Sequence, residues 1–110
     1  CTPCLTEMPS MQRLQQSLAD RPFQLLAINA GETQRRAQTI IRRLNLNMQV
    51  LLDRKREAFK AWGAKILPTS YLLDPRGRIR YVAYGPLEWD DEGIIATVEE
   101  LLEEAEAGDK

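Results

Sequence analysis

The stretch that decides the reading of this chain is Cys1-Thr2-Pro3-Cys4-Leu5-Thr6-Glu7-Met8-Pro9-Ser10, in which two cysteines open a segment of helical periodicity. They are the only cysteines in 110 residues and the chain has no histidine, so its thiol chemistry is concentrated in one place. A Cys-x-x-Cys spacing lets the sulfurs approach within bonding distance across one helical turn. The unsatisfied N–H groups and macrodipole at a helix start stabilise a thiolate on the first cysteine. An exposed thiolate of low pKa is the nucleophile of thiol–disulfide exchange, and its neighbour resolves the mixed disulfide. Cys1 is therefore expected to attack and Cys4 to resolve, with Pro3 restricting the turn between them.

Two other meanings of the motif are weaker. A zinc site normally takes four ligands, and with no third cysteine and no histidine only a site shared between two chains would serve. An inert structural disulfide would close too short a loop to add much stability. No metal site is expected.

Outward from the motif, Leu5, Met8, Met11, Leu14 and Leu18 fall on one side of a helix predicted over 5–20, with a kink expected at Pro9. Glu7 lies three residues after Cys4, on the same face; a solvated carboxylate is its plain alternative. Asp20-Arg21-Pro22 breaks the helix, and Phe23 to Asn29 has the length and apolarity of a buried strand. Gly31 then supplies a turn and Thr33 an N-cap for a helix striped by Ala37, Ile40, Ile41 and Leu44. Arg35, Arg36, Arg42 and Arg43 occupy its other face, either a solvated surface or an electrostatic docking patch.

Val50-Leu51-Leu52 reads as a short strand, and Lys55 to Trp62 as a helix burying Ala58, Phe59 and Trp62 before Gly63 stops it. Ile66-Leu67-Pro68-Thr69 opens an apolar run through Leu73. Asp74-Pro75-Arg76-Gly77 is a type I turn signature, and Ile79 to Tyr84 is the returning strand of an antiparallel hairpin. After a loop containing Trp89, a final helix is striped by Ile94, Ile95, Val98, Leu101 and Leu102. Alternating strands and helices make an α/β pattern.

Composition adds bounds. A net charge of -1, with 28% charged and 44% hydrophobic residues, describes one ordinary globular domain with no general pull toward nucleic acid or anionic membrane. The chain opens on the motif itself, without initiator methionine, signal peptide or transmembrane run, and is expected to be an excerpt of a longer protein.

Taken together, Cys1-Thr2-Pro3-Cys4, Glu7 and Pro9 in the first helix, Ile28-Asn29-Ala30-Gly31-Glu32, Leu67-Pro68-Thr69, Asp74-Pro75-Arg76-Gly77-Arg78-Ile79, and Gly85 with Trp89 resemble a known family. The chain is similar to the TlpA/ResA-like thiol–disulfide oxidoreductases, a periplasmic branch of the thioredoxin superfamily associated with cytochrome c maturation. The resemblance implies an α/β thioredoxin-like fold over residues 1–110 as a single domain, a central mixed sheet flanked by helices. It lacks the strand that in the family runs into the first cysteine. Such a sheet leaves unpaired edges, so the chain studied alone is expected to swap or oligomerise.

The resemblance also assigns roles. Cys1, Cys4 and Glu7 become the catalytic set, Glu7 governing protonation of the dithiol. A carboxylate there raises the thiol pKa values relative to the helix dipole alone and favours a reductant that waits for a specific partner. Pro68 corresponds to the family's cis-proline facing the dithiol, and Leu67, Pro68, Thr69 and Trp89 become the substrate-binding set, Trp89 as a loop anchor near the site and Trp62 as core. No cofactor is implied, because the dithiol carries the two electrons. The partners are a protein thiol or disulfide and an upstream electron donor, not nucleic acid, with any membrane attachment through an anchor outside these residues. A periplasmic or extracytoplasmic setting follows from the resemblance alone. Two alternatives stay open: a peptide-binding module with a non-cycling disulfide, and a peroxiredoxin-like peroxidase, for which only Thr2 of the needed Thr and Arg activators lies near Cys4.

Overall fold

Four strands and four helices make up a computed structural model that describes residues 2–31 and 33–108. The order is α1 (Thr2–Ser17), β1 (Leu26–Ala30), α2 (Gln34–Arg43), β2 (Gln49–Asp53), α3 (Glu57–Ala61), β3 (Thr69–Leu73), β4 (Ile79–Tyr84) and α4 (Glu92–Gly108). Helix α1 starts at the motif and continues through Pro9. Thr33 caps α2 by accepting the Arg36 N–H, as its side chain predicts, and Ala37 is buried below it.

The strands form two pairs rather than one sheet. β1 and β2 are parallel, in register from Leu26 opposite Gln49 to Ala30 opposite Asp53. β3 and β4 are antiparallel, from Thr69 opposite Tyr84 to Leu73 opposite Ile79, with an irregularity between Leu72 and Leu73. No strand hydrogen-bonds the pairs together among the described residues, so the expected central mixed sheet is split in two. Each strand of the two pairs therefore keeps an unpaired row of backbone donors and acceptors along one edge.

Leu14 of α1 and Leu18 just beyond it pack with Val98 and Leu102 of α4 and with Trp89, and Leu72 and Ala83 of the hairpin close the cluster. This core fixes α1 against the hairpin. Asp53 fixes the other pair: its carboxylate accepts the Ala58 and Phe59 N–H groups and so ties the first turn of α3 to the end of β2. Helix α3 runs only from Glu57 to Ala61 and leaves Trp62 at its end, where it is 43% exposed and not core as its spacing predicted. Its ring lies 5.1 Å from that of Tyr71, whose hydroxyl donates to the Trp62 carbonyl.

Candidate active site

The site is assembled around the first two turns of α1. Cys1 lies outside the described residues. Cys4 is half-buried in α1 and disulfide-bonded. It lines a cavity of about 80 Å³ with Leu5 and Met8 of α1, Ala27 to Ala30 of β1, apolar residues of α2, and Leu67. The backbone step from Leu67 to Pro68 is cis, as the resemblance implied, and Pro68 is buried. Thr69 donates its hydroxyl to the Ile66 carbonyl at 2.7 Å, tightening the same loop. Cys4 and Leu67, 63 residues apart, thus meet at one cavity wall.

One turn after Cys4, Glu7 is 3% exposed. Its Oε2 accepts the Leu87 backbone N–H at 2.9 Å and the Trp89 indole N–H at 3.0 Å. Charge-assisted hydrogen bonds of this kind are what permit a carboxylate to be buried. Glu7 is thus held against the 85–91 loop, not solvated. Trp89 is 5% exposed and reaches the site through Glu7, with its ring in the core.

Ser10, which the sequence did not single out, and Gly85, one of the residues that carry the resemblance, complete the arrangement. Ser10 is 1% exposed; its hydroxyl donates to the Glu7 carbonyl at 2.8 Å and accepts the Trp89 N–H at 2.9 Å. The only cue in the sequence is a serine three residues after a candidate carboxylate, which is common on helices. Gly85 has φ of 91°, a conformation that favours glycine, and its N–H donates to the Pro68 carbonyl at 2.9 Å. The segment from Gly85 to Trp89 therefore straps the Pro68 loop to α1. Asn29 of β1 also lines the Cys4 cavity, and its Oδ1 is buried with no hydrogen-bond partner among the described residues.

Two carboxylates at strand ends, neither of them lining the Cys4 cavity, are held below their ordinary range. For Asp53 the Phe59 N–H is the strongest influence and, with those of Ala58 and Glu57, it outweighs burial and holds the carboxyl below its ordinary value. For Asp74 burial pushes upward most strongly, yet the Arg78 backbone N–H, its guanidinium and the Arg76 N–H together win, and the carboxyl also sits low. Among the described residues there is no group of three or more side chains suited to hold a metal ion.

Comparison with known proteins agrees with the fold. The chain is 30% identical over 91 residues to the thiol-disulfide oxidoreductase ResA of Geobacillus thermodenitrificans, covering 83% of this chain and 52% of that protein. It spans about half the length of the curated relatives it matches. A structure from Chlorobium tepidum assigned as thiol:disulfide interchange protein DsbE superposes with a TM-score of 0.84 at 25% identity, covering 93% of this chain and 72% of that one. StoA of Bacillus subtilis superposes with a TM-score of 0.73, also at 25% identity, over 92% of this chain and 73% of the other. These neighbours make the fold thioredoxin-like, the split sheet notwithstanding. A profile of the AhpC/TSA family matches residues 1–82, through the motif helix, both β1–β2 strands and most of the hairpin, and on that match the chain belongs to the AhpC/TSA family.

Proposed function

We propose that this domain is a thiol–disulfide oxidoreductase that reduces protein disulfides through Cys1 and Cys4, in the manner of the cytochrome c maturation reductants. The single observation that carries the reading is the meeting of Cys4 with Leu67 at one cavity, directly before a buried Pro68. The names of the relatives and structural neighbours support it. In the first step the Cys1 thiolate attacks one sulfur of the substrate disulfide, forming a mixed disulfide and expelling the other substrate sulfur as a thiolate, which takes up a proton. In the second, the Cys4 thiolate attacks the Cys1 sulfur, releases the second substrate thiolate and leaves a Cys1–Cys4 disulfide. The substrate gains two electrons and two protons, and the dithiol loses them.

Glu7 takes the protonation role in this reading, since it stands one turn from Cys4. Leu67, Pro68 and Thr69 hold the substrate strand, and Trp89 holds Glu7. An upstream donor must return the electrons, because the reduced pair is consumed at each turnover. The setting is periplasmic or otherwise extracytoplasmic, where reducing dithiols need such a donor. No helix among the described residues is long and apolar enough to cross a membrane. Unpaired edges on β1 and β3 support association of this chain with further copies when it is alone.

The test is equilibration of the chain in glutathione and dithiothreitol buffers with thiol trapping, beside an insulin-reduction assay. A potential near that of thioredoxin, about -270 mV, or lower is expected for a reductant. A pair that resists reduction would make the domain a peptide-binding module, and consumption of peroxide in preference to disulfides would make it a peroxidase.

A further inference from the structure

Near-neutral net charge conceals a strong separation along the chain. Residues 33–66 carry nine Lys and Arg against two carboxylates, Asp53 and Glu57, a net of +7, whereas residues 67–110 carry four against eleven, a net of -7. Helix α1 lies between these halves. On one side Gln12 and Gln15 hold the Asn45 and Asn47 carbonyls of the turn that follows α2, at 2.9 and 3.0 Å. On the other, Arg13 pairs with Asp90 at 2.6 Å, and Arg21, just beyond the helix, with Glu106 at 2.9 Å. The helix that bears Cys4 is thus flanked by a basic and an acidic lobe.

The two lobes are not equally available. Acidic groups are partly spent within the molecule: Glu88 and Asp90 face Arg13, Asp74 and Glu104 meet Arg80, and Glu106 meets Arg21. The α2 cations are different. Arg35, Arg36, Arg42 and Arg43 are all exposed, and none is within ion-pair distance of a carboxylate among the described residues. The pairs stand seven residues apart, two helical turns, so they share one face over roughly 10 Å. The opposite face of α2, with Ala37, Ile40 and Ile41, lines the Cys4 cavity. An unneutralised cationic surface therefore lies on the outer face of the helix whose inner face lines the Cys4 cavity.

We infer that the exposed arginine face of α2 docks an acidic polypeptide segment of the protein disulfide that reacts at Cys1 and Cys4. This rests on the oxidoreductase reading and names the class of its substrate. A helix that enters a lipid surface needs large apolar residues beside its cations. The outward face of α2 offers only Gln38 and Thr39 among its arginines, while its apolar residues are turned to the cavity. The fitting partner is a protein with carboxylates beside its cystine. Such a surface acts mainly by steering encounter, raising the on-rate tenfold or more at low salt.

The experiment uses three peptides of equal length with one internal cystine flanked by four Glu, four Gln or four Lys, and serine versions of each that cannot exchange. Fluorescence anisotropy on the serine peptides reads docking alone, and thiol release from the cystine peptides reads exchange. The Glu peptide is expected to bind and to exchange about tenfold faster than the Gln peptide at low salt, with the gap closing by 0.2 M salt. R35Q/R36Q/R42Q/R43Q should erase the gap and leave the rate on the Gln peptide unchanged; R35E/R36E/R42E/R43E should transfer the preference to the Lys peptide. Equal binding of all three serine peptides would overturn the inference, as would an undiminished Glu preference in the Gln variant. Flotation with vesicles containing anionic phosphatidylglycerol, without any peptide preference, would assign the face to a membrane instead. If the cystine peptides are never reduced while the serine peptides still sort by charge, the oxidoreductase reading fails and the docking surface stands.

Discussion

The carboxylate of Glu7 accepts the indole N–H of Trp89 at 3.0 Å across 82 residues of sequence, joining the motif helix to the loop before α4. The same oxygen accepts the Leu87 N–H, so one buried charge holds both ends of a turn. Replacing the carboxylate in Glu7→Gln keeps the shape and removes the charge from both bonds, and should cost about 1–3 kcal/mol in denaturant unfolding. Combining it with Trp89→Phe tests the joint itself: the double-mutant cycle should return a coupling of about 1 kcal/mol or more. Additive losses would show that the two side chains act separately.

Ser10 should matter more than its size suggests. Its hydroxyl is the acceptor for the Trp89 backbone N–H in a fully buried place, so Ser10→Ala leaves that donor without a partner. A loss of about 1–3 kcal/mol is expected, measured by urea unfolding with an unchanged m-value. Ser17 serves as the control, being exposed and bonded only to the Leu14 carbonyl of its own helix; Ser17→Ala should stay within about 0.5 kcal/mol. Equal effects at the two serines would refute the buried-joint account.

These joints mark the limit of what the sequence discloses. Local signals were legible because their physics is local. Thr33 caps α2 three residues ahead of Arg36, and Gly77 donates to Asp74 to close the turn that Asp74-Pro75-Arg76-Gly77 spells. Glu7 on the face of Cys4 was legible too, but its partners were not, since helical spacing fixes a face and says nothing of which loop covers it. Ser10 carried no signal for the same reason: its partner is 79 residues away. Trp62 misled because periodicity assumes the helix continues, whereas α3 spans only Glu57 to Ala61 and ends before it. Splitting of the sheet is a matter of pairing, and pairing depends on strands that the residue pattern of β1 or β3 alone cannot supply.

Asp53 and Asp74 give the fold an acid limit. Both carboxyls are held below the ordinary value of about 4, so each binds its proton more readily in the unfolded chain. Stability contributed by such groups is fully present above the unfolded pKa and is lost as pH falls toward the folded one. The melting temperature should therefore be flat at neutral pH and fall below about pH 4. Asp53→Asn and Asp74→Asn should each lower it at pH 7 and flatten its acid slope. A steeper acid slope in either variant would contradict the assignment.

The split sheet predicts association. Leu26 and Ile28 on β1 are 48% and 49% exposed, and β1 and β3 each offer a free backbone edge. Apolar side chains beside an unpaired edge are a template for pairing with another chain, and covering one Ile side chain is worth about 1.5–3 kcal/mol. The chain alone should therefore sediment as a dimer or larger species at tens of micromolar. Ile28→Lys, which places a charge on that strand face, should raise the concentration needed for association at least about tenfold. A monomer at every concentration, with strand content above that of two hairpin-sized pairs by circular dichroism, would mean that the chain closes its own sheet in solution and that the open edges of β1 and β3 are not the contact.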